Sequence, residues 1–228
     1  MPQSPNLILN SLPQNVFSAF QANLKLSEMT FGTVVADTEQ LISHVYFPHS
    51  GVVSLVVDMD VGDMIETAMV GRDGVVNGTA ALDGKVSLHR GIVQVAGVAS
   101  MINADALRGL SHEFPPLQSL LIRHEQVLLA QAQQSAGCNA SHIVEARMCR
   151  WLLRIRDLTQ SDEMSLTQEF LAQMLGVRRT SVSLVAGTLQ RSGIINYRRG
   201  ISLLSMSKPC GAARANVTTG SDRTTVGF

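Results

Sequence analysis

From about Phe31 to Ile102, short apolar runs alternate with turn residues, as in HVYFPHSGVVSLVVDMDVGDMIETAMVGRDGVVNG. Val45, Phe47, Val52, Val53, Leu55 and Val57 supply the apolar positions, and Pro48, Gly51, Asp60, Gly62, Gly71 and Gly74 interrupt them at hairpin-like intervals. This pattern predicts antiparallel strands forming a sandwich or jelly-roll barrel. The character changes at PPLQSLLIRHEQVLLAQAQQSAG, where Leu, Gln and Ala displace β-branched residues and predict a long helix. Pro115 and Pro116 suit its first turn, and Leu117, Leu121, His124, Leu128 and Gln131 recur at steps of four and three. Such a stripe needs cover, either from the chain's own barrel or from a two-fold partner; the expectation is a dimer interface at Leu117, Leu121, His124 and Leu128.

A second helix is expected to start at Asn139 or Ser141 as cap and to run through HIVEARMCRWLLRIRDL, with Ile143, Ala146, Cys149, Trp151, Leu152 and Ile155 as its apolar face. The segment SLTQEFLAQMLGVRRTSVSLVAGTLQ then reads as two short helices meeting at a glycine turn. Thr167 caps the first, Ala172 is small enough for a close crossing, Gly176 permits a positive φ, and Val182 and Val185 seal the second. These are helix-turn-helix positions. After Gly193, IINYRRGISLL has the form of two short strands around an Arg-Arg-Gly turn, so the motif is expected to be winged.

Charge sharpens this reading. Eighteen basic and eighteen acidic residues cancel over the 228-residue chain. Between Ser165 and Gly200, however, Arg178, Arg179, Arg191, Arg198 and Arg199 face one acid, Glu169. Arg178 and Arg179 stand where a helix should begin, and the helix dipole disfavours cations there. Phosphates would supply the missing counter-charge, and the first turn of a recognition helix reaches base edges in the major groove. Arg179 is therefore expected to contact a guanine, Thr180 and Ser183 to hydrogen-bond bases or phosphates, and Arg178, Arg198 and Arg199 to meet phosphates. Thr167, Gln168 and Ser181 complete the expected DNA-facing set.

Barrel, long helix, second helix and winged helix-turn-helix, in that order, resemble the cyclic-AMP receptor (Crp/Fnr) superfamily of bacterial transcription regulators. The resemblance covers roughly residues 7 to 206 and is carried by VYFPHSGVVSLV, VGRDGVVNG and LTQEFLAQMLGVRRTSVS. It implies an α+β fold with an N-terminal antiparallel β jelly-roll barrel for sensing (1–114), a dimerisation helix (115–137), a winged helix-turn-helix DNA-binding domain (138–206) and a disordered tail (207–228). Its implied partners are double-stranded DNA at a palindromic promoter site, a second copy of the chain, and RNA polymerase as a partner compatible with that role. Thr180 and Leu184 occupy base-reading positions where familiar members often carry glutamate and arginine, so the target sequence does not carry over.

The family's cyclic-nucleotide pocket uses a Gly-Glu pair and an Arg-Ser or Arg-Thr pair. The corresponding places here are read as GRDG and HRG, giving Gly71, Arg72, Asp73 and Arg90 as the candidate effector pocket. With Arg72 in place of the glutamate and Gly91 after Arg90, a ribose hydroxyl loses its acceptor, at a typical cost of about 1 to 3 kcal/mol, and cyclic AMP is disfavoured. The same glycines also fit plain hairpin turns. No clustered N-terminal cysteines support an iron-sulfur centre, and no histidine spacing selects a haem ligand, so the cofactor is unknown.

Cys138, Cys149 and Cys210 are few, odd in number and widely spaced, with no leader-like segment before them. That favours reduced thiols and a cytoplasmic protein without a membrane span. The rival reading is a cupin-type metal-dependent enzyme on the same barrel. Cupin chemistry uses paired histidines one residue apart, and no His-x-His occurs in the chain, so neither catalytic residues nor a metal site are expected.

Overall fold

The computed structural model describes residues 4–59, 64–198 and 203–206, with only the backbone described from 197 onward. The chain divides into two compact units, Met1–Val56 with Ala68–Ala132, and Val57–Thr67 with Gln133–Phe228.

The first unit begins with two short helices, α1 (Leu7–Asn10) and α2 (Gln14–Gln21). Strands β1 (Lys25–Met29), β2 (Val34–Ala36), β3 (His44–Pro48), β4 (Val52–Asp58), β5 (Met64–Val70), β6 (Arg90–Val95) and β7 (Gly97–Asn103) follow, with a 3-10 turn at Gly78–Leu82. They form two sheets, ordered β1-β7-β3 and β2-β6-β4-β5. Strand β7 pairs antiparallel with β1 through Ser27↔Ala99 and with β3 through Tyr46↔Met101. The turn into β4 depends on Gly51, whose φ is +80° and whose Cβ, if present, would lie 2.5 Å from the Val95 carbonyl oxygen. The expected antiparallel jelly-roll is thus present. Its strands start earlier than Phe31, because β1 is an edge strand whose side chains are mostly exposed and show no apolar alternation.

Two apolar clusters fill this unit. In one, Ile8, Leu9, Phe17 and Phe20 of the N-terminal helices pack with Val45 and Phe47 and with Leu107 of α3 (Ala104–Glu113). Phe20 and Phe47 meet edge to face at 6.0 Å. The other holds Val53, Leu55, Val70, Val76 and Val93. Asn6 fastens the N-terminus: its side-chain oxygen caps α1 by accepting from the Ile8 and Leu9 amides, and its Nδ2 donates to the Pro48 and Gly74 carbonyls, both at 2.9 Å. Fully buried, this amide has every polar atom paired.

Helix α4 (Pro115–Ser141) is the expected long helix, running four residues beyond Gly137. Its stripe corrects the expectation of a subunit interface. Leu117 and Leu121 are fully buried in the chain's own core, His124 is buried, and Leu128 packs on the second cluster. His124 Nε2 accepts the Val75 amide at 3.1 Å, and the ring stands where a Cβ on Gly74 would come within 2.7 Å. A leucine stripe of this length finds its apolar partner within the monomer because the N-terminal helices and α3 supply one.

In the second unit, α5 spans Val144–Thr159, capped by Ile143 in extended conformation. Asn139 and Ser141 belong to the last turn of α4 instead of opening α5, and Ile143 is exposed instead of lying on the apolar face. Met148, Cys149, Trp151, Leu152 and Ile155 are buried, and Trp151 packs edge-on to Phe170 at 6.1 Å. The remaining elements are β8 (Glu163–Ser165), α6 (Gln168–Leu175), α7 (Arg179–Arg191), β9 (Ile195–Arg198) and β10 (Leu203–Met206), with sheet order β8-β10-β9. The expectation of reduced thiols fails at Cys149, which is disulfide-bonded; Cys138 is free and buried. Sequence spacing between cysteines does not report which sulfurs the fold brings within bonding distance.

Candidate nucleic-acid interface and cavity

Helices α6 and α7 are set against each other by their ends. At the start of α6 the Thr167 hydroxyl oxygen accepts the Phe170 amide at 3.1 Å. At its end Gly176 adopts φ +59°, ψ +46°, and the Val177 amide donates back to the Ala172 carbonyl at 3.0 Å, the 6→1 bond of a Schellman stop. A Cβ on Gly176 would sit 3.0 Å from Ile65 Cδ1, so space as well as backbone conformation requires glycine. The Arg147 guanidinium donates to the Leu175 carbonyl, placing a cation at the negative end of the α6 dipole. Burial, reinforced by Arg150, lowers the Arg147 pKa, with Cys138 acting in the opposite direction.

Arg178 is the N-cap of α7, extended at φ −68°, ψ 143°, and makes no side-chain cap bond; the first turn holds no acid. Val182, Ala186 and Leu189 are buried, while Arg178, Arg179, Thr180, Ser183 and Leu184 are exposed on the outer side. The Arg179 Nε lies 3.8 Å from Glu169 Oε2, both side chains largely in solvent, a pair worth at most about 1 kcal/mol. Arg179 is therefore available to another partner. The Ser183 hydroxyl lies 2.6 Å from Gln168 Oε1 and 3.1 Å from the Arg179 carbonyl, close enough to donate to either. Gln168 and Ser183 are thus brought together, joining the start of α6 to α7, while Ser181 is half-buried. Arg198 ends β9, which pairs with β10 through Leu203↔Arg198. Arg199 lies outside the described residues, as does the expected tail at 207–228.

None of Gly71, Arg72, Asp73 and Arg90 lines the cavity at Asp37, Tyr46 and Asn77. Gly71 to Gly74 form a closed turn after β5, with the Gly74 amide donating to the Gly71 carbonyl and the Leu7 amide to the Arg72 carbonyl. One cavity of this unit, about 300 Å³, is lined by Ala36, Asp37, His44, Tyr46, Asn77 and Ser87 among others. Arg90 reaches its edge through an ion pair with Asp37 at 3.6 Å. Asn77, in the left-handed region, donates from Nδ2 to the Val35 and His44 carbonyls, and its Oδ1 has no partner among the described residues. Burial pushes the Tyr46 phenol up. These lining residues come from separate segments between Val34 and Ser87, and no local motif marks them. Among the described residues, no three His, Cys, Asp or Glu side chains stand together as a metal site would need. No helix among them is long and apolar enough to cross a membrane.

Two short helices joined by a glycine turn, with the β8-β10-β9 sheet in the same unit, define a winged helix-turn-helix. Residues 146–208 match the family model of the Crp-like helix-turn-helix domain. Among solved structures, the chain is similar to FixK2 from Bradyrhizobium japonicum at 14% identity, over 85% of this chain and 98% of that one, with a TM-score of 0.71. It is similar to CLP from Xanthomonas campestris, described as a c-di-GMP-responsive global regulator, at 15% identity over 86% and 100% of the two chains, TM-score 0.69. A Crp/Fnr-family protein from Eubacterium rectale aligns at 14% identity over 92% and 99%, TM-score 0.68. No curated protein matches the chain. The chain has the fold of these Crp/Fnr-type proteins, and the likeness to the Crp-like helix-turn-helix domain lies in its C-terminal part.

Proposed function

We propose that the protein is a sequence-specific, DNA-binding transcription regulator of Crp/Fnr type, working as a homodimer, with DNA binding in the second unit and sensing in the first. The observation that carries this reading is the outer face of α7: Arg178, Arg179 and Thr180 stand exposed at a helix start that has no acidic residue and no side-chain cap. Arg179 contacts a guanine, Thr180 and Ser183 bases or phosphates, and Arg178, Arg198 and Arg199 the backbone. Thr167 and Gln168 approach the phosphates at the start of α6.

Dimerisation uses a second face of α4, about 120° round the helix from the buried stripe, where Ile122 is 46% and Leu129 59% exposed, seven residues apart. RNA polymerase is the downstream partner of a regulator of this class. The effector is taken in the cavity at Asp37, Tyr46 and Asn77 and is not cyclic AMP, since Asp37 already engages Arg90. Arg90 would have to leave that carboxylate to hold a phosphate.

Titration of a duplex at several salt concentrations tests the DNA-binding reading. The logarithm of the binding constant should fall linearly with the logarithm of salt. Absence of binding, or binding indifferent to salt, would overturn it.

A further inference from the structure

We infer that Leu184 is a specificity-determining residue that reads the C5-methyl group of a thymine, an assignment that rests on the DNA-binding reading above. Going round α7 at about 100° per residue, Val182, Ala186 and Leu189 share the buried side, and Thr180, Ser183 and Leu184 share the outer one. Leu184 is 70% exposed, so the fold gains little from a leucine at that position. It lies one turn beyond Thr180 on the same face, in line with the part of a recognition helix that enters the major groove. On the next turn of that face stands Gly187, where a Cβ would meet nothing nearer than Arg191 Nη1 at 3.5 Å, so position 187 puts no side chain between Leu184 and a partner.

The major groove offers donors and acceptors on every base pair but a single apolar group, the thymine methyl. An apolar side chain on the groove-facing side can gain from that group alone, whereas over a G·C pair it would leave donors and acceptors dehydrated and unpaired. Leu184 therefore favours a thymine near the guanine that Arg179 contacts.

The test selects duplexes from a random library with the full chain, then replaces each thymine of the preferred duplex by deoxyuridine, which removes the methyl and leaves base pairing intact. Affinities are measured at fixed salt for the wild-type chain and for Leu184→Ala. At one or more thymines, uracil should weaken wild-type binding about fourfold, the worth of one buried methyl-sized group. Leu184→Ala should bind the thymine and uracil duplexes equally. Indifference of the wild type to every uracil, or a uracil penalty that persists in Leu184→Ala, would overturn the assignment and leave DNA binding standing. Failure to enrich any duplex would instead remove the DNA-binding reading, and this inference with it. Because the uracil probe leaves the protein unaltered, a folding defect in the variant cannot imitate the wild-type result.

Discussion

Helices α4 and α7 each announce themselves by a one-sided pattern, yet only α7 points the way its pattern suggests. The start of α7 holds Arg178, Arg179 and Thr180, groups too costly to bury unpaired, and they stand in solvent where a partner can reach them. On α4 the apolar stripe at Leu117, Leu121, His124 and Leu128 demands cover, and the chain provides it from its own core. A charged face thus fixes its own orientation, while an apolar face says only that something lies against it.

The largest expected effect separates the two faces of α4. Leu121→Ala should lower stability by about 2 to 5 kcal/mol, read from chemical denaturation, because the side chain is fully buried. Ile122→Glu with Leu129→Glu should leave stability nearly unchanged and halve the mass seen by light scattering; an unaltered mass would place the dimer contact elsewhere. Next comes α7: Arg179→Ala should cost about 1 to 3 kcal/mol on the preferred duplex and much less on random DNA. Equal losses on both would make its role purely electrostatic. Thr167→Ala, which removes the cap of α6, should cost about 1 kcal/mol of stability.

The smallest effect is a pH dependence in the first unit. Burial lowers the His89 pKa, opposed in part by Glu125, and burial also lowers that of His49. The unfolded chain then takes up these protons first, so stability should decline as pH falls below about 6.5. His89→Gln should flatten that decline; an unchanged slope would show that the two states bind the His89 proton equally.

Strands β3 to β5 and the α6–α7 pair are legible in the sequence because alternation, turn glycines and a capping threonine act locally. Strand β1 is hidden there, because Lys25, Leu26 and Glu28 are exposed and leave no two-residue rhythm. The first two helices carry readable signals, Asn6 as a cap and Val16, Phe17 and Phe20 on one face, but each is short and the stronger strand pattern beginning near Phe31 overshadows them. The end of α4 is misleading because Asn139 and Ser141, good caps by type, are helical here, and the Ser141 hydroxyl donates instead to the Gly137 carbonyl. The cavity at Asn77 has no sequence signature, since its walls come from residues that only folding brings together.

The bonds of Asn6 also set a timetable for the nascent chain. The carbonyls of Pro48 and Gly74 that receive its amide are translated 42 and 68 residues later, and the Val75 amide next to that turn waits for His124, a further 49 residues on. At a synthesis rate of about 5 to 20 residues per second, α1 spends several seconds without its final contacts. Throughout that interval Ile8, Leu9 and Phe20 are apolar surface awaiting the core they fill in the finished fold.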